Sequence, residues 1–344
     1  MELSARIWLS EEENVFLNMA LLLPVFPWPA PPYRSTIRIF LPGLFFWRWY
    51  AEETPIIPAP TTTRSYLEAN PRRDSPRFVK KPHQAMKKNM ARERASVERF
   101  FGAHAQGYSK SQSHAHGADL ARLLGALGPK AGDVALDVAT GTGFTAVALA
   151  PLLSRVTGID VTHEMLEEAK RLAASEGLTN ITFELGDALD INADDESFDI
   201  VTTRRATHHF ADVPGFIREA KRVLKPGGRL GIVDMSPPEG AESFSNRIEK
   251  LRDSSHVEAF TPNKWKSMVS EAGLETFSSQ VLNEQVSFEK WLSPMRLGGP
   301  EESSIRRAWA GADQNTKTLL HAILDGGAVS GWTKSRVVLV ASKH

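Results

Sequence analysis

Between residues 134 and 234 this chain alternates short apolar runs with helical stripes, and no other feature constrains its fold as tightly. Val134 to Val138, Arg155 to Ile159, Ile181 to Leu185, Phe198 to Thr203 and Arg229 to Asp234 are five or six residues long, the length of buried parallel strands. Between them, Phe144 to Leu153 is expected as a helix. A second, with Thr162 as its N-cap, places Met165, Leu166, Ala169, Leu172 and Ala173 on one face. Val213, Phe216, Ile217, Ala220, Val223 and Leu224 form an i, i+3, i+4, i+7 stripe ended by Lys225-Pro226-Gly227-Gly228. Such alternation predicts an α/β fold with a doubly wound, mostly parallel sheet and helices on both faces.

The flanks differ in kind. Val97, Phe100 and Phe101 suggest one helical face ahead of the first strand. Leu120, Leu123, Leu124 and Leu127 suggest another, stopped by Gly128-Pro129. After the fifth strand, helices are expected over Phe244 to Leu251 and Pro262 to Ala272, a strand over Leu274 to Val286, and short helices over Phe288 to Met295, Ser304 to Ala310 and Thr316 to Leu324. The β-prone run Arg336 to Ala341 is expected to join the edge of the sheet. Residues 1–90 hold 12 of the 21 prolines and half of the eight tryptophans, and read as an irregular extension to a domain over 91–344. The abrupt change in character also allows a native start at Met86 or Met90. The apolar stretches Ala20 to Phe26 and Ile39 to Trp47 fall short of the roughly 20 residues that a spanning helix needs, so no stable membrane insertion is expected.

Charge and composition exclude several functions. Lys plus Arg equals Asp plus Glu at 41 each, so no basic bias points to nucleic acid; the local basic stretch from Pro71 to Arg99 reads as a solvated linker. The chain has no cysteine, which removes disulfides, thiolate metal sites and a cysteine nucleophile, and fits a cytoplasmic setting. His104, His114 and His116 lack a two-ligand helical spacing joined to an acid, and no metal is expected.

In open α/β sheets ligands bind outside the carboxyl ends of the strands, where the order reverses. The first strand end here carries Asp137, Ala139 and the loop Gly141-Thr142-Gly143, where glycine lets the backbone approach a ligand. The second ends in Asp160 and Val161, suited to ribose hydroxyls, and the third in Gly186-Asp187-Ala188, suited to an exocyclic amine. The fourth ends in Arg204-Arg205-Ala206-Thr207-His208-His209-Phe210. Gly141-x-Gly143-x-x-Ala146 followed by Asp160 also satisfies the dinucleotide fingerprint, so an NAD(P)-dependent oxidoreductase is the rival reading. Against it, Asp137 sits just ahead of the loop, where a carboxylate suits a cationic ligand better than a pyrophosphate.

From about Phe101 to Lys343 the chain resembles the seven-stranded Rossmann-like S-adenosylmethionine-dependent methyltransferases, in the branch related to ubiquinone- and menaquinone-biosynthesis enzymes. The matching pieces, in the family's order, are Leu136 to Gly143, Gly158 to Leu166, Gly186-Asp187-Ala188, His208-His209-Phe210, Arg222 to Leu230 and Asp234 to Glu239. The resemblance implies S-adenosyl-L-methionine as cofactor, with Asp137 and the glycines at its methionine end, Asp160 at the ribose, Asp187 with the Ala188 backbone at the adenine, and Met165 against the adenine face. It also implies that the stretch after Phe101, with Tyr108 and Ser109, closes over the cofactor as a lid. A protein that binds the cofactor without catalysis is a third reading.

The acceptor is less constrained. The Asn/Asp-Pro-Pro-Tyr/Phe tetrapeptide of amine methylases on nucleic-acid bases is absent after the fourth strand, so a small molecule is expected, methylated at oxygen or carbon. His209 or His208 is the candidate base for an acceptor that must lose a proton. Phe244, Phe260, Trp265, Met268, Trp291, Met295 and Trp309, all in the helical insert after the fifth strand, are expected to build a partly apolar or aromatic acceptor pocket or lid.

Overall fold

The computed structural model describes residues 84–109, 112–293 and 299–344. Most of the Pro/Trp-rich extension, its two apolar stretches and Met295 lie outside them. Helices α1 (Gln84–Ser109), α2 (Gln112–Ala115) and α3 (Ala118–Leu127) precede the first strand. The four leucines form the buried face of α3, and Gly128 ends it in the left-handed region at φ 54°. Then come β1 (Val134–Val138), α4 (Phe144–Leu149), β2 (Arg155–Asp160), α5 (His163–Ser175), β3 (Ile181–Leu185), β4 (Phe198–Arg204), α6 (Val213–Val223) and β5 (Leu224–Met235). The remainder is α7 (Glu242–Arg252), α8 (Pro262–Glu271), β6 (Glu275–Ser287), α9 (Phe288–Leu292), α10 (Pro300–Ala310), α11 (Gln314–Leu319), β7 (Ile323–Asp325) and β8 (Ala328–Ser342).

The strands form one sheet in the order β3-β2-β1-β4-β5-β8-β6, with β1 to β5 parallel and β8 antiparallel to both of its neighbours. Seven strands make this path, and an eighth, β7, pairs with β8 outside it. Among the described residues the sheet therefore has eight strands where the resemblance implies seven. Period-two alternation divides its core. Leu136, Val138, Val201, Leu230 and Ile232 face α6 and α8 on one side. Ala135, Val156, Ile200 and Val233 face α3 and α4 on the other. The helices α7, α9 and α10 pack a separate cluster against Val286, Val329 and Trp332 of the long strands β6 and β8.

Several local expectations change. The run Arg336 to Ala341 does not take the edge: β8 lies between β5 and β6, and β6 is the edge strand. The helix after β1 stops at Leu149 and tightens into a 3₁₀ turn over Ala150–Leu152, where Pro151 removes a donor. Lys225 to Gly228 is not a loop before the fifth strand but a bulge inside it, since Leu224 pairs with Phe198 and Arg229 with Ile200. The helix expected over Thr316 to Leu324 is cut at Leu319. Gly326 and Gly327, with φ of 55° and 82°, turn the chain so that Ile323–Asp325 pairs with β8. Thr162 stands at the N-cap of α5, but its hydroxyl makes no cap bond; its amide donates instead to Asp160 Oδ1 at 2.9 Å.

No helix among the described residues is long and apolar enough to cross a membrane.

Candidate active site

The strand order reverses at β1, whose neighbours are β2 and β4. A cavity of about 570 Å³ opens at the carboxyl ends of these strands, within the usual range for small-molecule sites. Asp137, Ala139, Gly141 and Thr142 line it from β1 and its loop, and Asp160, Val161 and Met165 from β2 and α5. Gly186, Asp187 and Ala188 come from the end of β3, Arg204 and His209 from the end of β4, and Tyr108 from α1. Two expected residues do not line it. Gly143 is a packing glycine: at φ 86° a Cβ there would stand 2.9 Å from the Cβ of Ala169, so its absence lets α4 begin against α5. His208 turns inward instead.

The acids differ in how they are held. Asp137 is 1% exposed and accepts from the hydroxyls of Thr140 and Thr202, both at 2.7 Å. Burial pushes its carboxyl up to about 6, against the pull of the two hydroxyls and Arg204. Asp160 accepts the amides of Gly141 and Thr162, each at 2.9 Å, which ties the glycine loop to the end of β2. Burial raises this acid too. Among the described residues neither acid has a cationic partner within salt-bridge distance. Asp187 does: Arg94 of α1 donates to its Oδ2 at 2.9 Å, while the Leu189 amide takes Oδ1.

The end of β4 is held from two sides. Arg204 and Arg205 both grip Asp119 of α3, and Arg204 also donates to the His114 carbonyl at 2.9 Å. Arg204 thus lines the cavity with each guanidinium nitrogen already making one bond to the protein. Asp234, buried at the end of β5, accepts from the Thr207 hydroxyl and from the His208 amide at 2.9 Å. It also lies 2.6 Å from His208 Nδ1. These bonds fix the 207–209 turn with the His208 ring inward and the His209 ring against the cavity. There Phe101 meets His209 edge-on, with ring centroids 5.0 Å apart. Burial, with the His208 ring at 4.0 Å, pushes His209 down to about 3. Burial and the nearby Asp253 push Tyr108 up to about 12.

Similarity to known proteins gives the family of the chain. The family described as a methyltransferase domain matches residues 129–273. The uncharacterized methyltransferase YcgJ of Bacillus subtilis is 36% identical over 223 residues, covering 64% of this chain and 83% of that protein. This chain belongs to the S-adenosylmethionine-dependent methyltransferases. The crystal structure of YcgJ is similar at a TM-score of 0.64 and 30% identity, over 67% of this chain and 99% of that one. The 27-O-demethylrifamycin SV methyltransferase of Amycolatopsis mediterranei is 33% identical over 190 residues, 54% of this chain and 70% of that protein. A demethylmenaquinone methyltransferase of Lactobacillus johnsonii is 37% identical over 138 residues, 39% of this chain and 54% of that protein.

The donor set of this methyltransferase fits its cofactor. Two buried carboxylates without cationic partners suit a ligand that brings positive charge and hydroxyls, and Asp137 beside the glycine loop disfavours a pyrophosphate there. Sequence reasoning missed Arg94 and Val97 as lining residues. Their spacing with Phe101 and Tyr108, at i, i+3, i+7 and i+14, puts all four on one face of α1 and was the available signal. The expectation that the insert aromatics build the acceptor pocket is corrected. None of Phe244, Phe260, Trp265, Met268, Trp291 or Trp309 lines the cavity. Trp265 and Met268 pack α8 on the sheet, with Phe260 against them, and the others pack with Trp332 in the cluster over β6 and β8.

Proposed function

We propose that this methyltransferase moves a methyl group from S-adenosylmethionine to an oxygen, or an enolisable carbon, of a small-molecule acceptor in the cavity at the ends of β1 to β4. The observation that carries the reading is the set of three carboxylates, Asp137, Asp160 and Asp187, at consecutive strand ends around one cavity. When bound, the cofactor supplies a methyl group already activated on a sulfonium. Asp137 with Gly141 and Thr142 of its loop holds its ammonium end, Asp160 takes the ribose hydroxyls, and Asp187 with the Ala188 amide meets the adenine edge. Val161 and Met165 pack on the adenine face. Arg204 shapes the wall through Asp119, and Tyr108, Phe101 and Val97 cover the cavity from α1. The chain's own contribution is alignment and exclusion of water, worth up to about 7–11 kcal/mol in well-oriented systems. His209 faces the acceptor and is the group proposed to take a proton. The name of the rifamycin relative, which specifies an oxygen, supports an oxygen acceptor.

Calorimetric titration with S-adenosylhomocysteine, which keeps the ammonium, tests the cofactor site. Only the ionised form of Asp137 attracts that cation, and its carboxyl stands at about 6. Affinity is therefore level above about pH 7 and falls by up to about tenfold per pH unit below 6, where binding must displace a proton. Asp137→Asn should flatten the profile. A wild-type affinity constant from pH 5 to 8 removes Asp137 from the site.

A further inference from the structure

Beyond α7 the chain turns back toward His209. There the Ser255 hydroxyl donates to Asp253 Oδ1 at 2.5 Å, and the Ser255 amide donates to the same oxygen at 2.8 Å. The Ser255 Oγ stands 3.1 Å from His209 Nδ1. A serine hydroxyl has one proton, and here it lies on the bond to Asp253. Burial opposes ionisation of Asp253, but the hydrogen bonds from Ser255 and the charge of Arg252 favour the carboxylate. The serine oxygen can therefore only accept from His209, so Nδ1 carries the hydrogen. A neutral imidazole has one N–H, and Nε2 is left as a bare lone pair on the ring edge away from Ser255. His208 is built differently, with its Nδ1 against Asp234 and its ring off the cavity wall.

We infer that Asp253 and Ser255 are positioning residues that hold His209 in its Nδ1–H tautomer, with Nε2 set to take the proton of an acceptor hydroxyl. The inference rests on the cavity being the methyl-transfer site. As the acceptor oxygen bonds the methyl carbon, the carbon–sulfur bond breaks with its electron pair left on sulfur, and the hydroxyl proton passes to Nε2. The imidazolium then donates through Ser255 toward Asp253, whose negative charge lies two hydrogen bonds away. Burial makes His209 a weak base, yet that suffices, because a hydroxyl oxygen gaining a third bond becomes strongly acidic. The pair of adjacent histidines thus resolves into one residue that faces the acceptor and one that pins the turn.

The test is ¹⁵N NMR of the full chain labelled at its histidine nitrogens and saturated with S-adenosylhomocysteine, with the His209 signals assigned by their loss in His209→Gln. The wild type should show His209 protonated at Nδ1 and bare at Nε2. Ser255→Ala should give a mixture of tautomers, and Ser255→Thr, which keeps the hydroxyl, should restore the wild-type pattern. A proton on Nε2 in the wild type, or an unchanged tautomer in Ser255→Ala, overturns the inference. Calorimetry on the same samples separates the two levels. Absence of S-adenosylhomocysteine binding by the wild type defeats the cavity reading itself, whereas binding with the wrong tautomer defeats only the relay. The wild-type spectrum decides even where a variant does not fold.

Discussion

Asp119→Ala should lower the unfolding free energy by about 3–5 kcal/mol, the cost of breaking a buried ion pair from one side. Asp119 is 2% exposed, and its two oxygens take four hydrogen bonds from the guanidinium groups of Arg204 and Arg205. The arginine side chains are 4% and 11% exposed, so solvent screens them little. Without the carboxylate, two positive groups face each other in the wall of the cavity. Arg205 also holds a left-handed backbone at φ 56°, a conformation costly for a non-glycine residue, and the grip on Asp119 supports it. Asp119→Asn keeps the shape and one acceptor oxygen but not the charge, and should fall between. Urea titration followed by fluorescence reads the change directly. A midpoint for Asp119→Ala equal to that of the wild type would show that the pair is solvated and does not fix the end of β4.

Trp309→Ala should cost about 3–5 kcal/mol as well, by a different route: loss of buried apolar surface together with a cavity. Trp309 is 1% exposed and packs against Phe244, with ring centroids at 4.6 Å, and against Trp332 at 4.9 Å. Its indole N–H has no partner among the described residues, so no hydrogen bond is lost with it. The same variant, where it remains folded, should bind S-adenosylhomocysteine within about twofold of the wild type, because its cluster does not line the cavity. Weakened binding with unchanged stability would return these aromatics to the site and reverse their assignment to packing.

What the sequence made legible is local. Strands β1 to β4 fall within a residue or so of their apolar runs, and the acids at the first three strand ends meet in one cavity, because period and strand length are properties of neighbouring residues. Pairing partners are not. Nothing in the run Arg336 to Ala341 distinguishes a place between β5 and β6 from a place at the edge, since helices on both sides of the sheet can bury both faces of the run in either place. The bond from Arg94 to Asp187 joins residues 93 positions apart, and Ser255 reaches His209 across 46. The insert aromatics had the composition of a pocket and the burial of a core, and composition alone does not separate the two. Charge had the same limit. Arg204 and Arg205 at the end of the fourth strand read equally as a solvated pair or as groups facing a ligand, and Asp119, on a helix that otherwise reads as packing, takes both.

The most direct measurement is incubation of the full chain with methyl-labelled S-adenosylmethionine and a panel of phenols, enols and alcohols, analysed by mass spectrometry beside Asp160→Ala. Asp160 ties Gly141 to β2 and is proposed to take the ribose, so its loss should weaken cofactor binding by about 1–3 kcal/mol, roughly 5- to 150-fold. Labelled methyl is expected on a hydroxyl-bearing member of the panel, with equimolar S-adenosylhomocysteine, and far less of both from Asp160→Ala at low cofactor concentration. No transfer to any member, together with binding of NAD(H) in place of S-adenosylmethionine, would contradict the proposed function.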